Sequence, residues 1–364
     1  MTKKKIYQIC FGDGYAGSAK MAIMNSTKLS KNYDITFFAT KDSLTEKRCL
    51  EAGLRTISIE KDTNFKDLLK IVSDNFVADE PDIVVSNHSL DRKVGLALRR
   101  KFKKKFLNIA YRHNESKSVP FIGSLLYNYY FDYSIACSEG VAQSLYSSGF
   151  KKKKVKVIHY GIEIPLDIND ISGTSIKEKF NLQDKTVLGV SAWFHKERKG
   201  FDILFKAFSK LVGNYKLLII GIPKEKQQEV LDYAAEFDIA PQDLIMPGYI
   251  ENVWEYYKAM DIFLFPSRSE GFPIAPLEAG AAKLPIIASD IPGTKEYIID
   301  SVTGLSYPVE EDNELVEAIK LLTEDTQLRE ALSTNAYNVV IDNYTLDVYA
   351  RKLDEFFADI IKYR

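Results

Sequence analysis

Two glutamates, Glu270 and Glu278, stand eight residues apart where the pattern changes from strand to helix. An apolar strand ends before Pro266, a polar loop carries residues 270–273, and a helix is expected to begin near Ile274. Free backbone N–H groups at a helix start suit a diphosphate. Glu278, one to two turns into that helix, can bind the two vicinal hydroxyls of a ribose. Glu270, ahead of the helix, is placed to hold hydroxyls of the group attached to the phosphate.

Two further segments carry side chains of the right chemistry. Arg198 and Lys199 follow a predicted strand and precede a predicted helix, where they could neutralise phosphate charge or simply form a solvated helix start. His113 also follows a strand, and an imidazole can hydrogen-bond a sugar hydroxyl or stabilise developing charge. A structural role for a lone histidine is the alternative. The other histidines show no metal-ligand spacing, and neither does any cysteine pair.

Short apolar runs alternate with amphipathic stretches along the chain and predict the elements that position these residues. Nearly continuous apolar strands are typical of sheets covered by helices on both faces, and strand–helix alternation predicts parallel sheets. The predicted strands are Ile6–Phe11, Ile35–Ala39, Thr56–Ile59, Asp82–Ser86, Phe106–Ala110, Tyr133–Cys137, Val155–His159, Thr186–Ser191, Lys216–Gly221, Leu244–Met246, Ile262–Phe265 and Pro285–Ala288.

The strand–helix series restarts once, after a segment near residues 164–175 that is rich in turn-forming residues. Three parts are expected: an N-terminal Rossmann-like domain (1–165), a C-terminal Rossmann-like domain (166–344) and a helix (345–364) that returns to the first domain. The fold class is α/β, with two doubly wound parallel sheets facing a central cleft. Ligands of such sheets bind beyond the carboxyl ends of the strands.

Gly12, Gly14 and Gly17 match the dinucleotide-binding pattern G-x-G-x-x-G after the first strand. The acidic residue that should close the second strand is missing, since Asp42 comes one step late. A dehydrogenase is therefore the weaker interpretation, and a tight strand-to-helix turn is another. We favour a flexible glycine loop bordering the cleft, in which Gly14 and Gly17 approach the ligand through their backbone.

The stretch 261–297 resembles the E-x7-E region of the retaining glycosyltransferases of family 4, which have the GT-B fold, and the resemblance is strong over residues 185–325. The similarity covers residues 266–272, Glu278-Ala279, Ile291-Pro292-Gly293 and Thr303-Gly304-Leu305. The resemblance implies that Glu270 contacts the donor sugar and Glu278 the ribose. It assigns the sugar- and phosphate-binding turn to the backbone of Gly271, Phe272, Pro273 and Ile274.

The same resemblance extends to segments outside that region. Lys199 matches the family lysine that grips the diphosphate, whereas Trp193 stands where the family arginine is expected, and Arg198 is a candidate to replace it. Ile250 lies in the segment whose backbone recognises the base. His113 matches a family histidine close to the donor sugar. Residues 157–161 resemble the family's interdomain segment V-I-P-N-G, in which His159 and Tyr160 replace the usual proline and asparagine.

Composition narrows the class of protein and its partners. Hydrophobic residues make up 46% and charged residues 27% of the 364 residues, as in soluble globular proteins. No apolar run reaches the length of a membrane span. Three scattered cysteines and the absence of a secretory signal favour a reducing, cytoplasmic location.

Charge divides unevenly along the chain, since residues 1–165 hold 28 Lys and Arg against 17 Asp and Glu. Basic runs at 99–105 and 151–154, near the aromatic-rich stretch 121–131, suggest peripheral contact with the inner, anionic face of the cell membrane. A solvated helix face is the alternative. Nucleic-acid binding is disfavoured because the aromatics form no recognisable module.

Taken together, the resemblance implies a retaining glycosyltransferase that moves a sugar from a nucleotide-sugar, preferably a UDP-sugar, to a glycan or glycolipid hydroxyl in surface polysaccharide assembly. His113, Lys199 and Glu270 are the implied catalytic residues. No D-x-D motif is present, so no metal and no other cofactor is expected. A sugar-nucleotide epimerase on the same fold and a non-catalytic nucleotide-sugar-binding subunit remain open.

Overall fold

A computed structural model describes residues 3–12, 17–114 and 122–362 of the chain. Two compact units are present, Met1–Gly161 together with Leu346–Arg364, and Ile162–Thr345. The ends of the second unit are joined by a hydrogen bond from Ile162 N to Tyr344 O (2.8 Å). The second unit begins at Ile162, a few residues before the boundary expected from the sequence.

The first unit is built on a parallel sheet of seven strands among its described residues, in the order β3-β2-β1-β4-β5-β6-β7. Its strands are β1 (Lys4–Cys10), β2 (Tyr33–Thr40), β3 (Arg55–Ile59), β4 (Ile83–Ser86), β5 (Leu107–Arg112), β6 (Tyr133–Ala136) and β7 (Val155–Val157). Its helices are α1 (Gly17–Leu29), α2 (Leu44–Glu51), α3 (Phe65–Asp79), α4 (Ser89–Phe102), α5 (Ile122–Tyr130) and α6 (Glu139–Ser147).

The second unit repeats this plan with six described strands, in the order β10-β9-β8-β11-β12-β13. Its strands are β8 (Thr186–Ser191), β9 (Tyr215–Ile220), β10 (Leu244–Gly248), β11 (Ile262–Phe265), β12 (Ile286–Ser289) and β13 (Leu305–Tyr307). Its helices are α7 (Thr174–Lys179), α8 (Phe201–Ser209), α9 (Lys224–Ala235), α10 (Trp254–Ala259), α11 (Ala275–Ala281), α12 (Pro292–Lys295), α13 (Asp312–Glu324) and α14 (Thr326–Asn343).

The apolar runs form the central strands because each of those strands is covered on both faces. β4, β11 and β12 are buried at every position, and α8 places six apolar side chains in the core of the second unit. The prediction of two doubly wound parallel sheets is confirmed. One strand, β13, was not predicted, because its three residues include a half-buried serine and form no apolar run.

The last helix, α15 (Leu346–Lys362), packs against α1 in the first unit. Its buried face includes Tyr349, Leu353 and Phe357, and the Phe357 ring meets Tyr33 edge-on, with ring centroids 6.1 Å apart. A salt bridge of 2.7 Å joins Lys28 on α1 to Asp347. The C-terminal helix therefore returns to the first unit, as the amphipathic pattern indicates.

Candidate functional site

In each sheet the strand order reverses between two central strands, β1 and β4 in the first and β8 and β11 in the second. The helices that follow the strands on either side of such a point cover opposite faces of the sheet, which leaves a crevice at the carboxyl ends. Residues 192–200 follow β8 and residues 266–274 follow β11. The segments that carry Lys199 and Glu270 therefore meet where the strand order of the second sheet reverses, which we call its switch point.

Glu270 lies at the centre of this site, between two cations. Its Oε1 is 2.5 Å from Lys199 Nζ and its Oε2 is 3.7 Å from Arg198 Nη2. The Glu270 and Lys199 side chains are only 11% and 20% exposed, whereas Arg198 is 48% exposed. Because both Glu270 and Lys199 are largely withdrawn from solvent, their attraction is screened less than that of a surface ion pair.

Gly200 allows the segment that carries Arg198 and Lys199 to approach the loop after β11. Its φ is +66°, and a Cβ at this position would collide with the carbonyl oxygen of Pro266. The turn before it is held by hydrogen bonds from Lys199 N to His195 O (3.1 Å) and from Phe201 N to Lys196 O (3.0 Å). Glycine is therefore required where the two segments cross.

Gly293, from the Ile291-Pro292-Gly293 segment, supports the Glu270 loop from the other side. An added Cβ there would lie 2.8 Å from Glu270 O and 3.1 Å from Gly271 O. The Phe272 ring is buried and packs against Tyr344, with centroids 5.5 Å apart. The buried side chain of Phe272 thus anchors the loop and is not itself available to a ligand.

Arg268 links the same two segments, and sequence reasoning gave it no role. It makes two 2.7 Å hydrogen bonds to Asp202, contacts Glu310, and donates to the carbonyl of Glu197 (2.5 Å). Its backbone N–H donates to Arg198 O (2.9 Å). Hydrogen bonds to Glu310 and then to Asp202 raise the pKa of Arg268, so its charge is constant. Only the folded arrangement shows that this arginine positions Arg198.

Glu278 lies in the first turn of α11, closer to the helix start than expected. Its Oε2 accepts a hydrogen bond of 3.0 Å from the Tyr257 hydroxyl. Tyr257 is fully buried, and burial followed by the Glu278 charge raises its pKa, so the hydroxyl stays protonated as a donor. Tyr257 was not predicted, because it lies on α10 and no short spacing relates it to Glu278.

The remaining predicted residues are dispersed. Ile250 is half-buried and follows β10, the edge strand of the second sheet, which is separated from β11 by β9 and β8. Trp193, where the resemblance implies an arginine, is 64% exposed. Gly17 begins α1 in the first unit, where an added Cβ would meet no heavy atom within 4 Å. Gly14 lies outside the described residues.

His113 follows β5 in the first unit and belongs to a buried aromatic cluster. Its Nδ1 is hydrogen-bonded to the Tyr160 hydroxyl, and its ring stacks on Tyr111 with centroids 4.7 Å apart. The Tyr111 hydroxyl in turn bonds that of Tyr349 on α15 (2.7 Å). Burial, reinforced by the His88 and Arg92 charges, holds the pKa of His113 well below its usual value. The imidazole is therefore neutral near pH 7, which suits a hydrogen-bonding role.

Residues 173–339 match the family of glycosyl transferases group 1. This segment takes in both β8 and β11 and all the residues that surround Glu270. This match covers just under half of the chain, so the second unit is similar to group 1 glycosyl transferases, and the two-sheet architecture is that of the GT-B fold.

Curated relatives of this chain include the capsular polysaccharide biosynthesis glycosyltransferase CapM of Staphylococcus aureus, 25% identical over 63% of the chain and 62% of CapM. Another is N-acetylgalactosamine-N,N'-diacetylbacillosaminyl-diphospho-undecaprenol 4-alpha-N-acetylgalactosaminyltransferase of Campylobacter jejuni, 27% identical over 63% of the chain and 61% of the relative. The chain thus spans about three fifths of the length of both relatives.

Solved structures share the fold over 98% to 100% of this chain. Anabaena HepE in complex with UDP and glucose superposes with a TM-score of 0.84 at 17% identity, covering 98% of this chain and 100% of HepE. Sucrose-phosphate synthase of Thermosynechococcus elongatus gives a TM-score of 0.81 at 18% identity, with all of both chains covered. Among the described residues, no helix combines the length and apolarity needed to cross a bilayer.

Proposed function

We propose that the protein is a retaining glycosyltransferase that moves a sugar from a UDP-sugar to a hydroxyl of a glycan or glycolipid in surface polysaccharide assembly. Support comes from relatives named for capsular polysaccharide synthesis and for transfer to a diphospho-undecaprenol-linked sugar. HepE, which shares the fold, was solved with UDP and glucose. Within this chain, the proposal rests on the site around Glu270 in the second unit.

The observation that carries the proposal is the Glu270 carboxylate between Lys199 and Arg198 at the switch point of the second sheet. A nucleotide-sugar presents a doubly charged diphosphate directly bonded to a ring rich in hydroxyls. The site offers two cations for the diphosphate and a carboxylate acceptor for the sugar hydroxyls, within one group of ion-paired side chains. On binding, Lys199 and Arg198 would pass from Glu270 to the diphosphate, and Glu270 would take a sugar hydroxyl.

In the proposed reaction, the bond between the anomeric carbon and the phosphate oxygen breaks while the acceptor oxygen bonds to that carbon from the same face. The acceptor proton goes to the leaving phosphate oxygen, which balances charge without a protein base. Lys199 and Arg198 stabilise the charge that develops on the diphosphate. Because these cations can supply the positive charge, the proposal invokes no metal. His113 is proposed to assist at the reacting face as a neutral hydrogen-bonding group.

Glu278 is proposed to bind the ribose. The Tyr257 hydroxyl fixes one carboxylate oxygen of Glu278, so the side chain is oriented before the ligand arrives. A carboxylate offers about four lone-pair positions, enough to accept two vicinal hydroxyls besides the Tyr257 hydroxyl. This orientation lowers the entropy lost on binding.

For the acceptor, we propose that the first unit also contacts an anionic membrane surface. Helix α5 exposes Leu125, Leu126 and Tyr129. Two basic runs border it: Arg100 lies over the Tyr130 ring at 5.6 Å, and Lys154 donates to carbonyls at the end of α5. Exposed apolar side chains flanked by cations are complementary to a bilayer whose headgroups are anionic.

A panel of UDP-, GDP- and ADP-sugars tests the donor proposal by thermal shift and by transfer to a lipid-linked glycan. At about 100 times its Kd, the true donor should add roughly 2.7 kcal/mol of stability. Lys199→Met should abolish the shift, whereas Lys210→Met is the matched control, since Lys210 follows the other end of α8 and pairs with Asp312. Equal shifts in both variants would contradict the site.

Product analysis on the same samples separates the alternatives. A transferase releases UDP and extends the acceptor. An epimerase changes the sugar without an acceptor, and a binding subunit shows a thermal shift without releasing UDP. Either of the last two results would overturn the proposed function while leaving the donor site in place.

A further inference from the structure

Three potential metal ligands meet at the switch point of the first sheet, at the carboxyl ends of β1 and β4. Cys10 is the last residue of β1, His88 lies just beyond β4, and Asp91 lies in the first turn of α4. Cys10 and His88 are 78 residues apart in the chain, but their strands are neighbours, with Ile9 opposite Ser86. Among the described residues, this is the one group of three or more His, Cys, Asp or Glu with ligand atoms close enough for a shared ion.

The distances fit a small divalent ion. Cys10 Sγ lies 3.7 Å from His88 Nδ1, which lies 3.3 Å from Asp91 Oδ2, and the three ligand atoms are all within 4.8 Å of one another. Around tetrahedral Zn²⁺, bonds of about 2.3 Å to sulfur and about 2.0 Å to nitrogen and oxygen place ligand atoms roughly 3.3 to 3.6 Å apart. Small side-chain movements would therefore complete the coordination.

The surroundings hold the three ligands in place. The second ring nitrogen of His88, Nε2, lies 2.9 Å from Ser18 Oγ on α1, as expected for a metal-bound histidine whose other nitrogen is fixed by an outer partner. Asp91 accepts hydrogen bonds from Phe11 N (3.0 Å) and His88 N (2.6 Å), which orient both of its oxygens. Each carboxylate oxygen keeps a further lone pair for an ion.

We propose that Cys10, His88 and Asp91 form a site for Zn²⁺ or a similar divalent transition metal, with one coordination position left for water. None of these three residues belongs to the donor site of the second unit, and the proposal does not depend on the proposed function. A thiol, an imidazole and a carboxylate are ligands that Zn²⁺ accepts together. The ion would join the end of β1 to the segment after β4 and the start of α4, and the Ser18–His88 hydrogen bond would link it to the start of α1.

Without a metal ion, deprotonation of the Cys10 thiol is unfavourable, and the free energy of metal binding must offset that deprotonation. Burial, then the Asp91 charge, raises the pKa of the Cys10 thiol well above its usual value, so the thiol is protonated without metal. Coordination transfers this proton to solvent, and the thiolate electron pair then bonds to the ion. Access is available because the His88 side chain is 32% exposed.

Metal binding is tested on full-length protein without a polyhistidine tag, stripped with chelator and titrated with Zn²⁺. We expect one equivalent per chain and a rise in melting temperature. Co²⁺ should give thiolate charge-transfer absorption. Cys10→Ala should lose that absorption and lower the affinity at least about a hundredfold. Ser18→Ala, which removes only the outer partner, should lower it about tenfold.

Cys49→Ala is the matched control, because Cys49 is also a buried free thiol in the same apolar cluster as Cys10. His88→Asn removes the ring but keeps a residue that caps helices well, so it separates loss of a ligand from misfolding. Unchanged Zn²⁺ affinity in Cys10→Ala or His88→Asn would overturn the proposal, as would equal loss in Cys49→Ala. Failure of this site would leave nucleotide binding unaffected, so the two proposals are judged separately.

Discussion

Replacing Glu270 by glutamine separates sugar contact from nucleotide contact at the centre of the proposed donor site. The substitution keeps the size of the side chain and removes one negative charge from a group that holds Lys199 and Arg198. The formal charge of these three side chains rises from +1 to +2. Transfer and UDP binding should then move in opposite directions.

Transfer should fall by about a hundredfold or more. If Glu270 accepts a sugar hydroxyl more strongly in the transition state than in the ground state, its loss resembles removal of a preorganised electrostatic contact, worth about 2.7–4 kcal/mol. UDP has no sugar for residue 270 to contact. In the variant, Lys199 also binds the diphosphate without first breaking an ion pair with a carboxylate. With one negative charge removed at about 6 Å from a phosphate, an effective dielectric between about 20 and 80 gives roughly 0.7–2.8 kcal/mol in favour of UDP.

Calorimetry with UDP and a transfer assay on the same preparations give both quantities. We expect UDP affinity to rise at least about threefold at low salt and less at high salt, since salt screens the gain. Glu317→Gln is the control, because Glu317 belongs to an exposed ion pair with Lys320 in the same unit. Intact turnover would remove Glu270 from the site. A loss of UDP affinity in step with rate would place Glu270 on the nucleotide and refute the division of roles.

Three further predictions follow from the other contacts. Glu278→Ala should weaken every nucleotide by about 1.5–3 kcal/mol per lost hydrogen bond, and Tyr257→Phe should weaken them by about 1 kcal/mol; unchanged affinities in calorimetry would exclude the ribose assignment. Reversing Lys103–Lys105 to glutamate should reduce sedimentation with anionic vesicles at low salt and leave donor hydrolysis unchanged, whereas equal sedimentation would favour a solvated face. Because the folded-state pKa of His113 is depressed, stability should fall as pH drops below about 6.5, and His113→Gln should flatten that slope in thermal unfolding.

Much of the architecture could be predicted because the central strands are continuous apolar runs. A run such as Ile262–Phe265 is buried on both faces, and that burial is what its composition indicates. β13 was missed because its register depends on a neighbour rather than on its own pattern: Leu305 pairs with Ile287, and Asp290 N donates to Tyr307 O (2.8 Å). Three residues alone carry too little periodicity to identify a strand.

The site was predictable where its residues share one segment, and not where they come from several. Glu270 and Lys199 follow strand ends in segments that a motif can reveal. Tyr257 and Arg268 act through residues on other elements, and their partners are set by which strands are adjacent. Cys10 and His88 show the same limit more strongly, since only the order β1-β4 in the sheet brings them together.

The two sheets place opposite chemistry at equivalent positions. At the β8–β11 switch point the crevice holds two cations around one carboxylate, an excess of positive charge that favours a polyanion. At the β1–β4 switch point it holds a carboxylate, an imidazole and a thiol, and deprotonation of that thiol would give an excess of negative charge that favours a cation. Topology explains why both crevices exist, because in each sheet the strand order reverses there. Topology does not determine which ligand binds in a crevice. That choice depends on a few side chains at the strand ends, so each site must be tested by substituting those side chains.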